Sequence, residues 1–144
     1  MKKILVLLSV TLLLAVTVMG CGKFEPKLAE YNTMYRDTLD KEANGSYPTI
    51  IIKSIKEDNG NIVVDTASPI EQMIYAMDNF ITFKAYNEKG DYTDKISVKL
   101  KEVDEQGVFY LTVEDMKLED IKYIEVGPYK TDDNDTNHLM FKLK

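Results

Sequence analysis

From Thr49 to the C-terminus the chain switches repeatedly between apolar–polar alternation and short polar turns. That rhythm demands strands, because a side-chain period of two puts every second residue on one buried face. Thr49 to Lys56 is rich in Ile, and Asn61 to Asp65 carries Ile62-Val63-Val64. Between them stands Asn59-Gly60, a hairpin signal because both residues tolerate positive φ. Phe80 to Tyr86 alternates with Ile81, Phe83 and Ala85 on one face, and residues 87–91 read as a turn. Ile96, Val98 and Leu100 alternate with Ser97, Lys99 and Lys101 in a half-buried strand. Asp104-Glu105-Gln106-Gly107 turns the chain into Val108 to Val113. Leu118 to Ile121 bridges to Tyr123–Val126, which Gly127-Pro128 is expected to end. Thr131 to Asn137 reads as a polar loop, and Leu139, Phe141 and Leu143 mark a last strand.

Two stretches carry helical spacing instead. Leu28, Tyr31, Tyr35 and Leu39 recur at about one helical turn, so a short amphipathic helix is expected there. Ser68-Pro69-Ile70-Glu71 has the chemistry of a helix start, with Ser68 as cap, Pro69 at the first helical position and Glu71 completing a capping box. Ile70, Met73, Ile74 and Met77 then form one face of a helix reaching about Asp78, with a fully buried strand as the rival reading. The expected fold is mainly β: an antiparallel β-sandwich of about seven strands with one or two short helices. An α+β fold with a single antiparallel sheet is the alternative.

The N-terminus speaks to location. Met1-Lys2-Lys3 is a positive stub, and Ile4 to Val18 runs without a charge, short of the roughly 20 residues that a spanning helix needs. Val18-Met19-Gly20-Cys21 follows, with an apolar residue three before the cysteine and a small one directly before it. This resembles the lipobox of bacterial lipoproteins. The resemblance implies a signal peptide over 1–20, cleavage between Gly20 and Cys21, and a diacylglycerol on the Cys21 thiol. Residues 21–27 would then be a lipidated tether and 28–144 a single β-rich domain on the extracytoplasmic face of the cell membrane. Its first partner is the lipid bilayer, reached through acylated Cys21. Cys21 is the sole cysteine, so it has no internal disulfide partner, and lipidation gives it a role. An uncleaved membrane helix or an ordinary secretory peptide would leave it without one.

Charge excludes one large class of partner. Removing the first 20 of 144 residues takes Lys2 and Lys3 away and no acid. The remaining 16 cations face 24 acids, a net charge of −8 with His138 neutral. Nucleic-acid binding needs clustered cations, and here the lysines stand singly among acids.

Candidate chemistry is sparse. Asp133, Asp135 and Asn137 mimic the first three ligands of a calcium loop, since hard oxygen donors at alternate positions suit that ion. His138 then stands where the loop needs glycine and Lys144 where it needs a bidentate Glu, so a solvated loop is expected. His138 is the only imidazole, no Gly-x-Ser-x-Gly elbow or phosphate loop appears, and no cofactor is implied. The acid pairs Glu114-Asp115 and Glu119-Asp120 flank strand ends, where solvated turns are the default. Tyr47, Tyr86, Tyr92 and Tyr129 fall at strand ends or in loops, where rings pack at a rim or stack on sugars and partners.

The segment from Phe80 onward, with Leu118 leading to Tyr123-x-x-Val126, resembles the second half of a fibronectin-III or immunoglobulin-like sandwich. Tryptophan and a cysteine pair are missing from that pattern. The expected function is non-catalytic binding at the cell envelope, to an envelope protein or a glycan. The alternatives are a glycan- or wall-binding module and a small envelope hydrolase, which would need converging carboxylates.

Overall fold

The computed structural model describes residues 22–36, 49–79, 81–130 and 136–144. Among these residues nine strands and one helix follow in the order β1 (Met34–Arg36), β2 (Thr49–Asp58), β3 (Asn61–Pro69), α1 (Ile70–Asn79), β4 (Thr82–Asn87), β5 (Tyr92–Thr93), β6 (Ile96–Val103), β7 (Gln106–Val113), β8 (Ile121–Lys130) and β9 (Thr136–Lys142). A 3-10 turn, Leu118–Asp120, precedes β8. One sheet has the order β1-β2-β3-β7-β6 and the other β5-β4-β8-β9, and every pairing is antiparallel. Two sheets replace the single-sheet alternative. The seven expected strands are the seven long ones; β1 and β5 are additions of three and two residues.

Alternation builds the core between the sheets. Ile62, Val64, Phe109 and Leu111 point in from the first sheet, and Phe83, Ala85, Ile124, Val126 and Phe141 from the second. Phe83 meets Phe109 edge-on at 5.2 Å, a direct contact across the two layers. In β2 the inward residues are Ile50, Ile52 and Ile55, because a bulge between Ile52 and Ser54 shifts the parity.

The turns follow backbone chemistry, with one surprise. Asn59 and Gly60 have φ of 49° and 81°, as a two-residue hairpin turn requires. At the β6–β7 hairpin the positive φ falls on Asp104 (51°) and Glu105 (65°), neither of them glycine. Gly107 is instead a buried strand residue beneath α1, where a Cβ would stand 2.5 Å from Met73 Cγ. The close approach of the helix, not the turn, uses this glycine.

Four local expectations are corrected. The helix expected from Leu28 does not form over residues 28–36; Leu28 pairs parallel with Met140, residues 31–32 turn, and β1 follows. Tertiary contacts override the spacing, since Ala29 N–H donates to Met140 (2.8 Å), the Tyr31 ring lies 5.2 Å from Phe141, and Asn32 N–H donates to Ile52. Pro69 closes β3 rather than opening α1, and the Ser68 hydroxyl accepts a bond from Ile51 N–H. The helix itself is rotated: Met73 and Ala76 are fully buried, whereas Ile74 and Met77 are exposed. Gly127-Pro128 does not end its strand; β8 passes through a bulge there and continues to Lys130.

Residues 28–32 run over the edge between β9 and β2 and close that side of the sandwich. Lys144 adds to the closure, donating to the Ile55 carbonyl and accepting from Glu57 N–H. The opposite side, between β4 and β6, is open.

Candidate functional site

On the four-stranded sheet the residues alternating with the core lie on its outer face. Register places Tyr92 beside Tyr86, Tyr86 beside Tyr123, and Tyr123 beside Lys142. These four form one row across all four strands. The neighbouring row holds Lys84, Glu125 and Met140. Phe24, from the segment before the first strand, lies on the tyrosines: parallel to Tyr86 at 5.7 Å and edge-on to Tyr123 at 5.8 Å. The β4–β5 turn makes room for it. A Cβ on Gly90, whose φ is +90°, would stand 2.8 Å from Phe24 Cδ2. Asn87 closes that turn, its side-chain oxygen accepting from the amides of Lys89 and Asp91.

A buried acid sits among the rings. Glu125 is 8 % exposed; Tyr86 O–H donates to it at 2.7 Å and Lys84 Nζ approaches within 3.5 Å. Burial, and then the hydrogen bond to the Glu125 carboxylate, push the Tyr86 hydroxyl well above the usual tyrosine range. Tyr86 is therefore a neutral donor at physiological pH. Tyr92 is the open end of the row, 57 % exposed, with the Lys84 ammonium 5.1 Å from its ring centre. Such a face offers rings and hydroxyls together, which suits contact with a surface that is itself part apolar and part wet.

The open side of the sandwich holds a cleft of about 400 Å³, with Ile81, Phe83, Ile96 and Val98 on its walls and Lys84 and Asp94 at its rim. Its lining mixes apolar and polar side chains, with no convergent catalytic pair among those residues.

The other sequence candidates scatter. Of the four tyrosines singled out, Tyr86 and Tyr92 meet at 5.3 Å, Tyr129 lies beyond the β8 bulge opposite Asn137, and Tyr47 falls outside the described residues. Gly20, Cys21, Asp133 and Asp135 also fall outside them. Asn137 and His138, read as loop and loop junction, belong to β9. Among the described residues no three His, Cys, Asp or Glu side chains gather as a metal site would need. The acid pairs bind locally: Glu114 accepts from Ser97, Asp115 pairs with Lys95, and Glu119 lies 4.0 Å from Lys117.

Phe24, Tyr123, Glu125 and Lys84 were missed by sequence reasoning. Alternation already put Lys84 and Tyr86 opposite the core positions of their strand, but only the β4–β8 pairing brings Tyr123 and Glu125 beside them. Phe24 gave no signal, because one aromatic in a stretch read as tether has no period. Compared with known proteins, the chain matches no described family, no curated protein and no solved structure.

Proposed function

We propose that the chain is a bacterial lipoprotein whose two-sheet domain serves non-catalytic binding at the extracytoplasmic face of the cell membrane. One observation carries the reading: a positive stub, an uncharged apolar run and Val18-Met19-Gly20-Cys21 stand in the order that lipid attachment requires. Two acyl chains on one residue hold a protein on a bilayer durably, where a single chain gives only marginal binding. The strand order supports an immunoglobulin-like assignment of the domain. Read as A-B-E-D, β2-β3-β7-β6 corresponds to one sheet of that family, and β5-β4-β8-β9 corresponds to C′-C-F-G. The helix α1 then occupies the B–C connection.

The test is the intact mass of membrane-extracted protein beside a Cys21→Ala variant. Residues 21–144 plus acyl groups, with the variant uncleaved, is the expected result. A chain that keeps Met1, or one cut without acylation, overturns it.

A further inference from the structure

The geometry points to the outer face of the β5-β4-β8-β9 sheet as a membrane-contact surface, laid against the lipid headgroup layer with Tyr92, Lys142 and the Phe24 segment that overlies Tyr86 and Tyr123 toward the bilayer. This rests on the lipoprotein reading and adds to it an orientation and a contact surface.

The reach of the chain sets the first constraint. Phe24 is clamped between Gly90, Tyr86 and Tyr123, and Cys21 is three residues earlier. Three residues span at most about 11 Å when fully extended. The headgroup layer on each side of the hydrocarbon is roughly 5–8 Å thick. An acylated Cys21 at the hydrocarbon boundary therefore leaves Phe24 close to the headgroups. The domain has no slack with which to turn this face away while Phe24 stays docked.

Chemistry is the second constraint. Tyrosine is enriched at membrane–water interfaces because its ring accepts the apolar side and its hydroxyl the wet side. Lysine stems cover apolar surface while the ammonium reaches outward. Electrostatics agrees. The face and its covering segment hold Lys23, Lys27, Lys84 and Lys142 against Glu25, Glu30 and Glu125, and the turn at its rim adds Glu88, Lys89 and Asp91. The surface next to the anchor is thus near neutral on a mature chain of net charge −8. Anionic headgroups would repel the rest of the protein and tolerate this side.

The chain contains no tryptophan, so single Trp substitutions report cleanly. Full-length Tyr92→Trp and Tyr110→Trp variants would be purified from membranes, checked by intact mass, and placed in phosphatidylethanolamine–phosphatidylglycerol vesicles containing headgroup spin-labelled lipid. Tyr110 is the control on the other sheet, in β7 beside Lys101. The expected result is a larger loss of fluorescence and a blue shift for Tyr92→Trp. Equal or weaker quenching of Tyr92→Trp in acylated protein overturns the orientation and leaves the anchor standing. An unacylated mass overturns both. Lys142→Trp, on the same face, replaces Tyr92→Trp with the same two outcomes if that variant does not fold.

Discussion

Phe24 lies parallel to Tyr86, ring centres 5.7 Å apart, although 62 positions separate them in the chain and no regular element contains Phe24. That one ring fastens the segment leading from the proposed anchor to the outer surface of a sheet. The stretch expected to be a tether is thus seated on the domain from Phe24 onward, with Gly22 and Lys23 exposed before it.

Removing that ring should loosen the segment. Phe24→Ala is expected to cost about 1–3 kcal/mol, from lost aromatic burial and two ring contacts. The measurement is the urea midpoint with hydrogen exchange, in which the Ala29 and Asn32 amides should lose protection. Gly90→Ala should produce the same local loss, because its Cβ would enter the space of the Phe24 ring and its φ is positive.

Gly107→Ala should destabilise by about 1–3 kcal/mol, because the added methyl meets Met73 at 2.5–2.6 Å in a filled core. A double-mutant cycle with Met73→Ala checks the cause. The penalty of Gly107→Ala should shrink in the Met73→Ala background, and full additivity would mean the strain lies elsewhere.

Glu105→Gly is expected to stabilise by about 0.5–1 kcal/mol. Glu105 holds φ at 65°, a conformation that costs an L-residue with a side chain roughly 1–2 kcal/mol, against which glycine gives back some unfolded-state entropy. Thermal unfolding of the single variant decides it.

Tyr86 makes stability depend on alkaline pH. Its hydroxyl is raised in the folded state by burial and by the bond to Glu125, so between about pH 10 and the folded value the unfolded chain has lost a proton that the folded chain keeps. Stability from this group is complete below about pH 10 and declines as pH rises. Tyr86→Phe should therefore show a shallower fall in Tm from about pH 9 to 12 than the parent protein.

The strands were legible because their signal is local. Ile81, Phe83 and Ala85, or Ile96, Val98 and Leu100, declare a buried side by alternation alone, and Asn59-Gly60 declares its turn by tolerance of positive φ. Where a neighbour from far along the chain decides, local reading failed. Leu28 and Tyr31 have helical spacing but are spent on Met140 and Phe141. Gly107 looked like turn chemistry, and the turn fell on Asp104 and Glu105 because the helix needed the glycine. Ile74 and Met77 fit an apolar face that α1 does not bury, since Met73 and Ala76 are the residues it buries in the core, Met73 against Gly107 of β7.

The candidate face divides in the same way. Local alternation alone puts Lys84 and Tyr86 opposite the core positions of their strand, and the residue order alone carries the charged, apolar and lipobox-like run that ends at Cys21. Long-range pairing alone sets β4 beside β8, aligns the three tyrosines in one row, and lets Phe24 dock on Tyr86 and Tyr123. Alternation is a property of neighbouring residues and is written in any few of them. Strand order and the docking of a distant ring depend on which buried surfaces match across the whole fold, and no local pattern records that.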